Sequence, residues 1–116
     1  MTDDEAWRAE ERLWTGGAAA FRAALDAACV MAFPAPAGIM AGEAILRGLE
    51  GAPRWASVAF AHGVVARPAT DLLVLAYRAE GRRATAADAY VACCTSTYRL
   101  SGDGHWLMVQ HQQSPA

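Results

Sequence analysis

The chain has no run of lysine and arginine, and that absence bounds its partners first. Its net charge is -2, and the densest basic pair, Arg82-Arg83, reads as a solvated hairpin end, so no nucleic acid is expected. No apolar stretch is long enough for a bilayer. The longest uncharged segment, Ala27 to Gly42, is broken by Pro34, Pro36 and Gly38. Met1-Thr2-Asp3-Asp4-Glu5 is acidic where a signal peptide would be basic, which points to a cytoplasmic protein away from membranes. Cysteine is scarce and odd in number. Cys29, Cys93 and Cys94 make no disulfide framework, neighbours on a strand face opposite ways, and all three read as small buried apolar residues. Metal-ligand spacing is missing too: His105 and His111 share a strand face but stand roughly 20 Å apart, and His62 has no carboxylate at ligand spacing. Gly16-Gly17 and Gly102-Asp103-Gly104 lack the surroundings of a phosphate loop. No metal or cofactor is implied.

What is present is apolar residue, 54 % of the chain against 19 % charged, much of it alanine. That excess exceeds an average soluble domain and leaves apolar surface for a subunit interface. A chain of 116 residues fits a single domain, residues 1–116, with a core of its own. Thr2 with Glu5 forms a capping-box signature, followed by Trp7, Glu10/Glu11, Leu13 and Trp14 at helical spacing up to Thr15-Gly16-Gly17. Phe21, Ala24, Leu25 and Ala28 make one apolar face of a second helix. Cys29 to Phe33 reads as a short buried strand, Pro34 to Gly38 as a turn, and Ile39-Met40 as a brief return strand. A third helix runs from Gly42 to Leu49, stopped by Gly51 and Pro53. Long strands follow over Ser57–Arg67 (with a bulge at Gly63), Leu72–Ala79, Ala86–Leu100 and His105–Gln112. Segregated helices and strands predict an α+β fold: three N-terminal helices packed on a curved, mainly antiparallel sheet, a cone open at one end. A cone of this size holds a small cavity.

Several segments, in order, carry a family resemblance. They are Leu13-Trp14 with Phe21; Ile39-Met40-Ala41-Gly42-Glu43-Ala44-Ile45; Tyr98-Arg99-Leu100; Gly102-Asp103-Gly104; Trp106-Leu107-Met108-Val109; and His111-Gln112-Gln113-Ser114. Over nearly its whole length the chain resembles the cone-shaped superfamily of nuclear transport factor 2, ketosteroid isomerase and the SnoaL-like polyketide cyclases. It looks closest to the bacterial branch related to the calcium/calmodulin kinase association domain. The resemblance implies an α+β cone and a homodimer built through the outer sheet face. The isomerase residues do not carry over. Phe33, before Pro34, stands where the base aspartate would be, Ser96 near the oxyanion aspartate, and Ala9 near the tyrosine of the first helix. A phenylalanine takes no proton, so that mechanism is not expected.

The candidate pocket lining is Trp14, Phe33, Cys94, Ser96, Tyr98, Val109 and His111. Alternation puts Tyr90, Ala92, Cys94, Ser96 and Tyr98 on one face of the third long strand. By the resemblance, Leu107, Val109, His111 and Gln113 form the cavity face of the last. A Ser96–His111 nucleophile pair is conceivable, but no acid on either strand orients the imidazole. Trp7, Trp14, Trp55 and Trp106 read as volume fillers, and Glu43 as a solvated or capping acid. Three functions stay open. The first is a homodimeric domain binding a small apolar or carbonyl-containing molecule. The second is an isomerase, dehydratase or cyclase using non-standard polar groups such as His111 and Tyr98. The third is an association module whose cone is plugged by side chains.

Overall fold

In the computed structural model, which describes residues 1–52, 54–85 and 87–116, the chain opens on the helix its cap dictates. The Thr2 hydroxyl accepts from the Glu5 amide at 3.2 Å and the Glu5 carboxylate accepts from the Thr2 amide at 2.9 Å. This reciprocal box satisfies two first-turn donors. Helix α1 spans Asp3–Thr15, α2 Gly17–Ala24 and α3 Glu43–Glu50. The strands are β1 Leu25–Ala32, β2 Ile39–Ala41, β3 Ser57–Ala69, β4 Leu72–Arg82, β5 Tyr90–Leu100 and β6 Trp106–Pro115. They form one six-stranded sheet in the order β2-β1-β6-β5-β4-β3. All pairs are antiparallel except β1 with β6, which is parallel. The expected α+β class and the β3–β6 meander are what the chain forms.

Several local expectations shift: among the strands, β4 runs on to Arg82, β5 begins only at Tyr90 and β6 covers Trp106–Pro115. The second helix does not reach Ala28. It stops at Ala24, and Leu25 turns extended (φ -85, ψ 135) to pair with Met108. The Asp26 carboxylate accepts from the Ala28 amide at 2.9 Å and from Arg99 at 2.7 Å. An acidic side chain that captures a backbone donor this way competes with the helix. Strand β3 runs on through Pro68 to Ala69, which an edge strand tolerates because its outer N–H groups have no ladder partner. The cysteines divide: Cys29 and Cys94 are buried as expected, whereas Cys93 is exposed on the outer face. Pro53 and Ala86, read as a helix stop and a strand start, lie outside the described residues.

The inner sheet face and the helices enclose the core. Leu73, Leu75, Tyr77 and Ala79 of β4, Ala92, Cys94 and Tyr98 of β5, Met108 of β6 and Cys29 and Met31 of β1 meet Ala6, Leu13 and Trp14 of α1 and Ile45 of α3. Each fully buried leucine contributes roughly 1.5–3 kcal/mol. An aromatic layer seats α1. Trp7 stands edge-on to Tyr77 at 5.6 Å, Phe60 lies 4.5 Å from Tyr77, and Trp14 lies 5.6 Å from Trp55, which stacks on Tyr90 at 5.4 Å. The expected bulge lies between Ala61 and Val64, with His62 at φ 55. There the Trp7 ring presses on Gly63, where a Cβ would come within 2.7 Å.

Gly81 is held by the same layer. A Cβ there would stand 3.0 Å from ring atoms of both Trp14 and Trp55. Gly81→Ala should therefore cost about 1–3 kcal/mol by overpacking. Gly51→Ala, at φ -95 with open space around it, should be neutral or slightly stabilising. Urea denaturation of the two variants checks the contrast.

Candidate functional site

The apolar stripe of α1 carries one charged residue. Ala6, Leu13 and Trp14 are buried, and Glu10, one turn from each, is buried with them at 0 % exposure. Three hydroxyls surround its carboxylate. Tyr98 donates to Oε1 at 2.6 Å, and Tyr77 and Ser96 both donate to Oε2, Ser96 at 2.5 Å. Effective desolvation of a buried ion costs several kcal/mol. Hydrogen bonds to a charged group return about 1.5–3 kcal/mol each, so three of them match the penalty. The network then spreads outwards. Trp14 Nε1 donates to the Tyr77 hydroxyl at 3.1 Å, His111 Nδ1 lies 2.7 Å from Ser96 Oγ, and Gln113 Nε2 lies 3.0 Å from His111 Nε2. Among the described residues no buried side-chain nitrogen or oxygen lacks a partner.

Counting hydrogens fixes the roles. Each hydroxyl has one proton, and a carboxylate only accepts, so Ser96 spends its proton on Glu10. His111 Nδ1 must then donate to Ser96 Oγ. Burial pushes the His111 imidazole below its ordinary pKa, against the opposing pull of Glu10, whose Oε2 is 3.6 Å from Nδ1. The ring is therefore neutral, with the proton on Nδ1 and the lone pair on Nε2, where the Gln113 amide donates. Burial, reinforced by Glu10, pushes both Tyr77 and Tyr98 far above the usual phenol range, so both stay protonated donors.

His111 and Gln113 open onto a cavity of about 120 Å³ under the helices. Its walls are mostly apolar: Leu13, Trp14, Phe21, Phe33, Leu49, Trp55 and Met108, with Glu10 behind and Arg54 and Arg83 at one side. The Arg83 guanidinium lies 3.9 Å from the centre of the Trp55 ring, a cation–π contact. A second, more open cleft of about 390 Å³ adjoins it and shares Phe33, Leu49, Trp55, Arg83 and Gln113.

The candidate residues take different places. Trp14, Phe33 and His111 line the cavity, with the Phe33 ring 5.8 Å from the imidazole. Ser96 and Tyr98 are buried on the same inner face and reach it only through Glu10 and His111. Cys94 is buried without lining it, and burial, with Glu10 adding, pushes its thiol up to about 12. Val109 lies off the cavity face. Thr97 pairs with Gln110 but Tyr98 with Met108, so Val109 is the extra residue of a bulge. That extra residue turns Met108, rather than Leu107, inwards. The conceivable Ser96–His111 nucleophile pair is ordered the wrong way for attack. Serine sits between the acid and the imidazole, donates to the acid, and is 0 % exposed. Among the described residues no group of three His, Cys, Asp or Glu side chains could hold a metal ion, and no helix is long and apolar enough to cross a membrane.

Glu10 is the residue that strand-based reasoning passes over. Its signal was its position four residues after Ala6 and four before Trp14, a charge on the apolar stripe.

The lowered His111 pKa carries a sign. Its folded value lies below the unfolded one, so the neutral ring contributes stability above about pH 6.5 that is lost as pH falls through the folded value. Urea midpoints should fall from pH 7.5 to 5. The variant His111→Asn, whose amide reproduces the Nδ1 donor but does not titrate, should lose this dependence. The surface carboxylates with lowered values, Asp103 at about 2 and Asp26, act only in more acidic solution.

No family model matches the sequence, and no curated protein matches it. Solved structures share its fold. A nuclear transport factor 2-like protein from Cytophaga hutchinsonii superposes with a TM-score of 0.79 at 14% identity, covering 100% of both chains. A candidate ketosteroid isomerase from Parabacteroides distasonis gives 0.75 at 20%, covering 90% of this chain and 79% of that one. The association domain of the calcium/calmodulin-dependent kinase II of C. elegans gives 0.75 at 14%, covering 96% of this chain and 89% of that one. The fold of this chain is therefore the nuclear transport factor 2-like α+β cone, shared with ketosteroid isomerase-like proteins and kinase association domains.

Proposed function

We propose that this domain binds a small, mainly apolar molecule inside the cone and assembles as a homodimer through the outer sheet face. The observation that carries the binding reading is the cavity itself: aromatic and aliphatic walls with a polar pole, His111 with Gln113, and two guanidinium groups at one side. Such a combination is the usual anatomy of a small-molecule site. Binding is favoured over catalysis because three donors occupy Glu10 and the buried Ser96 hydroxyl is committed to it. A second reading, proton transfer on a carbonyl compound, draws on one feature: His111 lines the cavity with a carboxylate oxygen 3.6 Å from its Nδ1.

The assembly reading rests on the outer face. Val64 is 60% exposed there, Val30 48% and Ile39 86%, and Ala59, Ala61 and Ala66 extend the apolar surface along β3. The neighbouring fold in a kinase association domain serves association by its name.

Toluene titrated into the protein should saturate, raise the melting temperature and quench tryptophan fluorescence through Trp14 and Trp55. No response up to its solubility limit would overturn the binding reading. Light scattering at micromolar concentration should give twice the chain mass of 12.3 kDa, and a monomer throughout would overturn the dimer.

A further inference from the structure

We propose that the His111–Gln113 pole is a hydroxyl site, and that the ligand is a single six-membered ring carrying an alcohol or phenol group. This deepens the binding reading and rests on it. The donor count leaves His111 Nε2 as an acceptor, and its lone pair takes the Gln113 amide at 3.0 Å. A ligand group that displaces this contact must give a proton to Nε2 and take one from the released amide. A hydroxyl does both with one oxygen. A carbonyl or ether only accepts, and leaves Nε2 facing another lone pair. A carboxylate at this pole adds a charge against that lone pair, with the Glu10 carboxylate behind it, and would turn instead to Arg54 and Arg83 at the cavity's side.

Size sets the rest of the molecule. The cavity of about 120 Å³ is somewhat smaller than the engineered apolar cavity of roughly 150 Å³ that takes up benzene. One ring fills it, between Trp14, Phe21, Phe33 and Met108. Substituents on the far side of the ring have room in the adjoining cleft, past Phe33 and Trp55. The fused rings of a steroid do not fit the enclosed part.

The hydroxyl ring is not a nucleophile's target here. It replaces the Gln113 contact while His111 Nδ1 still donates to Ser96 and Ser96 to Glu10. The site therefore binds without any proton leaving the network.

Calorimetry or ligand-detected NMR on the intact protein at pH 7.5 tests this with matched probes: phenol, anisole and toluene, then cyclohexanol and methylcyclohexane. Phenol should bind roughly three- to tenfold tighter than toluene, the range one net hydrogen bond supplies, and anisole no tighter than toluene. Cyclohexanol should show the same advantage over methylcyclohexane. Whichever hydroxyl probe binds more tightly assigns the ring as aromatic or saturated. His111→Asn, which keeps the donor to Ser96 and loses the acceptor, should erase the hydroxyl advantage and leave toluene binding in place. Equal affinities of phenol, anisole and toluene would overturn the hydroxyl site while leaving the apolar pocket standing. Anisole matching phenol would show that the ligand meets only the Gln113 donor, and would overturn the hydroxyl site. Failure of every ring to bind would overturn the underlying binding reading instead. The unsubstituted protein decides these outcomes alone if His111→Asn does not fold.

Discussion

A carboxylate kept from water by three hydroxyl groups orders the interior of this cone. Glu10 ties α1 to β4 through Tyr77 and to β5 through Ser96 and Tyr98, and reaches β6 through Ser96 and His111. Apolar packing alone is non-directional and fixes the height of α1 on the sheet less sharply than a directional bond does. A buried carboxylate cannot slide, because one lost donor leaves a charge undersolvated where the dielectric is low. The aromatic layer of Trp7, Phe60, Tyr77, Trp14 and Trp55 supplies the area. Glu10 supplies the register.

The same bonds decide what the cavity presents. Because Ser96 gives its proton to Glu10, His111 must use Nδ1 as a donor, and its Nε2 accepts from Gln113 at the cavity wall. The polarity of the site is thus set two bonds away from it, by a residue on a helix. Phe33 stands in the cavity wall and Ser96 links Glu10 to His111, so the buried acid of this site comes from α1 and is occupied by hydroxyls.

Much of the fold was legible in the sequence because local chemistry and tertiary structure agree there. Thr2 and Glu5 state the start of α1 outright, Gly51 marks the end of α3, and the alternation of Leu73, Leu75, Tyr77 and Ala79 names the inner face of β4. What was not legible depends on pairing. Leu25 to Ala28 continues a helical apolar face in one dimension, but β6 offers Leu25 a strand partner, and Asp26 takes the Ala28 amide. Val109 alternates correctly until a bulge, invisible without the β5 register, inserts it as an extra residue. Glu10 is not visible from the strands that carry Ser96 and His111, because the acid comes from a helix eighty-six residues before Ser96. Its place on the stripe between Ala6 and Trp14 held the signal.

The central claim is a distribution of protons around Glu10, and it can be observed at the imidazole. Long-range proton–nitrogen correlation NMR on the uniformly nitrogen-15-labelled protein at pH 7 reports which ring nitrogen of His111 carries hydrogen. The account predicts a neutral ring protonated on Nδ1, the less common tautomer in solution, with an unprotonated Nε2. A proton on Nε2 alone would mean that Ser96 does not donate to Glu10 as described, and a proton on both nitrogens that the ring is not neutral; either result would contradict the account at its root.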